Sequence, residues 1–101
     1  MKQTNNDVYR EAIQTFGEEN QLFQLCEELA ELIKAVNKWR RNKELANVYT
    51  AYLDDVTEEI ADVEIMIDQV KLMLNIQEVE LFDMKQKKIH RLAERLKNYD
   101  R

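Results

Sequence analysis

Glycine and proline are almost missing from this chain of 101 residues, which contains a single Gly and no Pro. The tight corners of a β-sandwich or β-barrel depend on these two residue types, because they supply the backbone conformations of sharp turns. Hydrophobic residues make up 45% of the sequence and charged residues 35%, a composition typical of folded globular proteins. We therefore predict an all-α, four-helix-bundle-like fold in a single domain over residues 1–101.

Hydrophobic residues recur at helical spacing in four segments, and the periodicity weakens over residues 42–53, where we expect a connection. Gly17 is expected to end the first helix in the left-handed conformation. A capping box of Asp55 and Glu58 is expected to open the third helix, and Asn75 to end it. The four predicted helices cover residues 7–16, 20–41, 55–75 and 77–97.

The chain is acidic, with 15 basic and 20 acidic residues and a formal net charge of −5. Duplex nucleic acid is not expected as a partner, because binding it requires positive charge that displaces counterions. No segment approaches the roughly 18 apolar residues of a membrane span, and the N-terminus lacks a signal-peptide core, so no membrane partner is expected. The single cysteine, Cys26, lies among leucines, and we expect a buried thiol in a cytoplasmic protein.

The third predicted helix carries apolar residues on two opposite sides. Val63, Ile67 and Val70 belong to its main stripe, whereas Ala61 and Ile65 lie on the other side. Four helices from so short a chain bury only a thin core, because small domains bury a smaller fraction of their surface than large ones. We therefore expect the core to be completed by oligomerisation, in a homodimer or homotetramer with this helix at the centre.

Eight acidic residues fall within residues 44–68, and no Lys or Arg lies among them. Helical spacing places Glu59 and Asp62 at the edge of the apolar stripe, and it places Glu28 and Glu31 at the edge of the stripe on the second helix. A solvated acidic face is the common explanation of such a run, but such faces usually interleave Lys at i+4. Desolvated carboxylates need a cation, and ligands that are all oxygens favour Mg²⁺, with Mn²⁺ as a substitute, over zinc or iron.

The segment Glu27-Glu28-Leu-Ala-Glu31, then 27 residues, then Glu59-Ile-Ala-Asp62 resembles a known signature. It is the EExxE…ExxD pattern of the MazG-like, all-α nucleoside triphosphate pyrophosphohydrolases, and the likeness covers most of the chain. The resemblance implies a hydrolase acting on acid anhydrides, which converts a (d)NTP into the (d)NMP and pyrophosphate for housekeeping or nucleotide-pool control. It also implies that Mg²⁺ is the cofactor.

The same resemblance assigns roles to the motif acids. Carried over position by position, Glu28, Glu31, Glu59 and Asp62 are the metal ligands. Glu27 completes the catalytic set, either by holding a second metal through water or by orienting the attacking water. With the metal supplying charge, no side-chain nucleophile is needed.

Four other residues are candidates for contacts with the nucleoside triphosphate. Gln21 lies on the same helix edge as Glu28, where its amide can reach a base or phosphate, although a plain first-turn polar residue has the same pattern. Lys38 and Arg41 can meet phosphate oxygens or belong to a solvated helix face. Trp39 can stack on a base or pack at the end of the bundle.

Two alternative functions fit the same residues. One is a non-catalytic helical interaction protein, whose acids serve only solubility and which would not respond to a metal. The other is a nucleotide sensor with the same acidic site, which would bind the nucleotide with Mg²⁺ but not hydrolyse it.

Overall fold

The computed structural model describes residues 2–44 and 49–99. Within these ranges the chain is helical and has no β-strand, which confirms the all-α prediction. None of the helices in these ranges combines the length and the apolar character needed to cross a membrane. The helices are α1 (Asn5–Phe16), α2 (Glu18–Asn42), α3 (Tyr49–Met73) and α4 (Glu78–Lys97).

A single glycine joins α1 to α2. Gly17 has φ 91° and ψ 148°, a backbone conformation that is strained for any residue with a side chain. Its N–H donates to the Ile13 carbonyl (2.8 Å), and its own carbonyl accepts from the Gln21 N–H (3.1 Å). Gly17 ends α1 as expected, but the expected left-handed helical conformation is wrong. Its ψ is extended because the chain passes directly into the next helix.

Helix α3 begins at Tyr49, well before the expected start at Asp55. The connection expected over residues 42–53 is therefore shorter, and residues 45–48 within it lie outside the described ranges. The capping box expected at Asp55 is wrong, because that residue lies inside the helix. Each weak helix former destabilises a helix by only about 0.7 kcal/mol or less relative to Ala. The free energy gained by packing the half-buried Tyr52 outweighs this cost.

The end of α3 was predicted correctly. Asn75 adopts a positive φ of 55°. The Asn75 N–H donates to the Leu72 carbonyl (3.3 Å), and the Ile76 N–H donates to the Lys71 carbonyl (2.9 Å). This pair of bonds is the Schellman motif, which satisfies the last carbonyls of a helix and directs the chain away from its axis.

Helices α2 and α3 form an antiparallel pair, and α1 packs against both. Gln21 near the start of α2 donates to Gln69 near the end of α3 (Nε2 to Oε1, 2.7 Å), which gives the pair its direction. In the described ranges the buried hydrophobic side chains are those of Ala35, Val63 and Met66. One chain therefore encloses only a thin core.

Cys26 is exposed, which corrects the expected burial of this thiol. It lies nine residues before the buried Ala35, about 180° around α2, so it is on the side turned away from α3. The neighbouring leucines that suggested a buried thiol mark a side of α2 that this chain does not cover.

Helix α4 stands apart from the other three. Within the described residues, no Cα atom of α4 lies within 8 Å of a Cα atom of another helix. Its start is held by an ion pair between Lys71 Nζ and Glu78 Oε1 (2.7 Å). The radius of gyration is 17.6 Å, whereas a compact chain of this length has about 13 Å. The packing of four helices into a bundle is thus not completed within a single chain.

Candidate metal centre

The antiparallel pairing brings carboxylates of α2 and α3 together midway along the two helices. One carboxylate oxygen from each of Glu28, Glu59 and Asp62 lies within 4.8 Å of the other two, and all three residues are half-buried. Glu59 and Asp62 are three residues apart and therefore lie on the same side of α3. The structure thus brings three of the four predicted metal ligands together.

Glu59 is the most constrained of these acids. Its Oε2 atom is buried and has no hydrogen-bond partner in the described part of the chain. Burial raises the pKa of the Glu59 carboxyl above its usual value, because the charged form loses hydration. Neighbouring negative charges raise it further, those of Asp62, Glu28, Glu31 and Glu58. A buried acceptor oxygen among like charges is the environment that a bound cation would stabilise.

Glu28 is oriented by its own helix. Gln24, one turn earlier, donates from Nε2 to Glu28 Oε1 at 2.8 Å. This contact leaves the second Glu28 oxygen available to a cation. Gln24 was not among the predicted site residues. Its position four residues before Glu28 could have indicated the contact, because side chains at i and i+4 meet on a helix.

Glu31 lies at the rim of the cluster. It is exposed and does not belong to the group of three converging oxygens, yet its charge still raises the pKa of Glu59. Glu31 and Glu59 line a shallow hollow of about 230 Å³ that opens to solvent. The other residues of this hollow are Lys34, Ala35, Lys38 and Asp55. It places the predicted phosphate contact Lys38 beside two of the motif acids.

Asp55 was missed as a site residue, because sequence analysis placed it at a helix start. It precedes Glu59 by four residues in the same helix, so it lies one turn away on the same side of α3.

Two further predicted residues lie near the start of α2. Gln21 is only 7% exposed and donates its amide to Gln69, which is itself buried. Glu27 is exposed and lines a second hollow of about 440 Å³, together with Phe16 and Phe23. The Gln21 amide is therefore engaged in packing of α2 against α3, whereas the Glu27 carboxylate faces open space.

The last two predicted residues lie near the end of α2. Trp39 is half-buried, and Lys43 Nζ lies 5.7 Å from the centre of its ring. Arg41 is exposed in the last turn of the helix. The group of three converging oxygens contains neither residue.

The ligand set fits a hard divalent cation. All the converging donors are carboxylate oxygens, which Mg²⁺ and Mn²⁺ prefer. Two ligand oxygens of an octahedral Mg²⁺ are about 4.2 Å apart when opposite and about 3.0 Å apart when adjacent, since each lies about 2.1 Å from the ion. Glu28, Glu59 and Asp62, whose oxygens lie within 4.8 Å of one another, would therefore move closer together to share one cation.

No protein-family model, curated protein or solved structure matches this chain. The likeness to the MazG-like enzymes therefore rests on the sequence pattern of this chain alone. The three-carboxylate cluster is an independent observation, because it follows from the packing of α2 on α3.

Proposed function

We propose that this chain is a Mg²⁺-dependent nucleoside triphosphate pyrophosphohydrolase, which converts a (d)NTP into the (d)NMP and pyrophosphate. The observation that carries the proposal is the convergence of Glu28, Glu59 and Asp62 around a buried Glu59 oxygen with no protein hydrogen-bond donor. A cluster kept only for solubility would have its carboxylates in water. Burial of one of these oxygens costs free energy unless a ligand compensates it.

The motif acids have different proposed roles, according to their positions in the cluster. Glu28, Glu59 and Asp62 would hold the cation, with Glu31 joining from the rim as the fourth ligand. When bound, Mg²⁺ supplies positive charge that offsets the phosphate charges and makes a water molecule a better nucleophile. From the resemblance, Glu27 would orient the attacking water, and its exposed carboxylate lines the second hollow and not the cluster of three acids. In the proposed reaction the water oxygen would bond to the α-phosphorus, the bond from that phosphorus to the bridging oxygen would break, and pyrophosphate would leave with the bridging oxygen while the water proton passes to solvent.

The triphosphate needs cationic contacts as well as the metal. Lys38 lines the same hollow as Glu31 and Glu59, so its ammonium group is placed to meet phosphate oxygens. Lys34 lines this hollow too and has the same chemistry. Arg41 and Trp39 remain candidates for the outer phosphates and the base, within one turn of Lys38 on α2.

We further infer that the active form is a homodimer or homotetramer, since one chain leaves much apolar surface uncovered. We place the protein in the cytoplasm, where a single exposed cysteine stays reduced. Removal of nucleoside triphosphates there would serve housekeeping or nucleotide-pool control.

The test is release of pyrophosphate from a panel of canonical and modified dNTPs and NTPs, with Mg²⁺ and with EDTA. We expect metal-dependent release by the wild type and its loss in Glu59→Gln and Asp62→Asn. Glu64→Gln is the matched control, since Glu64 is exposed and lies about 160° around α3 from Asp62. Binding of nucleotide with Mg²⁺ but without turnover would replace the hydrolase by the sensor, and no metal response at all would contradict both.

A further inference from the structure

Both long helices carry an exposed apolar residue at every seventh position. This spacing keeps side chains along one side of a helix, as in the seams of coiled coils. All these side chains are between 38% and 60% exposed. We call them the seven-residue face: Leu22, Leu29 and Val36 of α2 with Leu53, Ile60, Ile67 and Leu74 of α3 and the turn that follows it.

The two halves of this face lie on the same side of the helix pair. On α2, Leu29 lies about 100° from Glu28 in one direction, and Glu31 lies about 60° from Glu28 in the other. On α3, Ile67 lies about 100° from the buried Met66, and Asp62 lies about 40° from it on the opposite flank. Because α2 and α3 are antiparallel, these offsets place both apolar rows on one side of the pair and Glu31 and Asp62 on the other, while Glu28 and Glu59 lie between the two helices.

Helix α4 has an exposed apolar stripe of its own. Its members repeat at intervals of three, four and seven residues, and each is at least 46% exposed. They are Phe82, Ile89, Leu92 and Leu96, with Tyr99 just beyond the end of the helix. No Cα atom of α4 lies within 8 Å of a Cα atom of another described helix of its own chain.

The start of α4 is held in its outward direction. Gln77 Nε2 donates to Asn75 Oδ1 (2.9 Å), and the Lys71–Glu78 ion pair spans the same junction. Folding α4 back onto its own chain would break these contacts and the Schellman bonds at Asn75 and Ile76. The stripe is therefore presented to another molecule.

The amount of uncovered surface matches what a stable dimer buries. The chain exposes 8494 Å², whereas a compact monomer of 12.1 kDa exposes about 6,000 Å². The excess is about 2,500 Å² per chain, or about 5,000 Å² for two copies, which is at the upper end of the roughly 2,000–5,000 Å² that obligate homodimers bury in total. A second copy that covers the seven-residue face and the α4 stripe would account for this excess.

We propose that α4 of a second copy packs along the seven-residue face, and that the exchange is reciprocal, giving a twofold-symmetric dimer. The rows match in length, since α4 and the stretch from Leu53 to Leu74 both span about 30 Å. This specifies the homo-oligomer of the proposed function without using the carboxylates of the site, since Ile67 and Asp62 lie about 140° apart around α3.

The first test is the mass in solution at about 10 µM protein, by light scattering. We expect at least twice the chain mass of 12.1 kDa for the wild type. Ile67→Glu and Leu92→Glu each place a carboxylate in the contact and should lower the mass to one chain, with far-UV circular dichroism showing retained helix. Lys87→Glu is the control, because Lys87 lies about 140° around α4 from Leu92. A wild-type mass of one chain overturns the proposal, whether or not pyrophosphate is released.

The second test identifies the contacting elements. Two differently tagged chains, both carrying Cys26→Ser, are co-expressed, one with Ile67→Cys and the other with Cys at Phe82, Ile89 or Leu96. A bismaleimide should join the two tags for at least one of these α4 positions, and Lys87→Cys should not react in this way. Cross-linking of Ile67→Cys only to its own kind would overturn the docking of α4, because the two faces would then contact each other directly.

Discussion

The α2–α3 pair has two surfaces that are unfavourable in different ways. One buries negative charge, and the other exposes apolar side chains to water. On one side Glu28, Glu59 and Asp62 converge, and the Glu59 oxygen is buried among like charges. On the other side apolar residues such as Ile60 and Ile67 remain about 40% exposed. The first side needs a cation and the second needs apolar surface. The comparison shows that one helix pair can be incomplete in two chemically distinct ways.

The largest expected effects separate the two sides. Asp62→Asn should lower kcat/KM for pyrophosphate release at least about 100-fold, because loss of even an outer contact to a metal ligand costs 10–100-fold. Its mass in solution should equal that of the wild type.

Ile67→Glu should have the opposite effect. It should prevent formation of the dimer, while the protein still binds Mn²⁺ in a titration. A variant on either side that abolishes both properties without unfolding would contradict the separation.

Gln24→Leu should weaken Mg²⁺ activation about tenfold, because Glu28 loses the donor that orients it. The measurement is the Mg²⁺ concentration for half-maximal pyrophosphate release. Gln14→Leu is a matched control, since Gln14 is an exposed glutamine of α1. An unchanged midpoint in Gln24→Leu would show that the hydrogen bond does not serve the metal site.

Gln21 distinguishes a packing role from a substrate contact. Gln21→Leu leaves the buried Gln69 oxygen without its donor, so the free energy of unfolding should fall by about 1–3 kcal/mol in urea titrations. Changing both residues to Leu should recover much of this loss, since no unpaired group then remains. A rise in KM without a loss of stability would instead assign Gln21 to the nucleotide.

The smallest expected effect concerns pH. The pKa of Glu59 is raised in the folded protein, so the folded state binds the proton more tightly than the unfolded state does. Without a divalent cation, this group should therefore reduce stability as pH rises above about 4.5, the usual value. Glu59→Gln should raise the Tm of the metal-free protein at pH 7 and reduce this dependence. Mn²⁺ should raise the Tm of the wild type but not that of the variant, and the opposite order would contradict a cation site.

The helices were predictable where local chemistry decides them. Asn75 ends α3 because Asn tolerates a positive φ, and Gly17 separates α1 from α2 for a similar reason. The start of α3 was not predictable, because Tyr49 and Thr50 are weak helix formers whose state depends on packing. The exposure of Cys26 was missed because apolar neighbours along a helix do not indicate which side its partner will cover.

The sequence indicated which acids could approach one another but not their geometry. The spacing of Glu28, Glu59 and Asp62 placed them at the edges of two apolar stripes, and the structure brings their carboxylates together. The outward position of Glu31 depends on the rotation of α2 against α3, which helical periodicity does not specify. Gln21 has a buried partner for the same reason.

The sequence by itself determined the all-helical class and the points at which Gly17 and Asn75 interrupt the helices, because these depend on residues close together in the chain. The tertiary structure alone decided which acids converge, which apolar rows stay uncovered and where α4 points. These features depend on the relative rotation and direction of helices, and many weak packing contacts set that arrangement jointly.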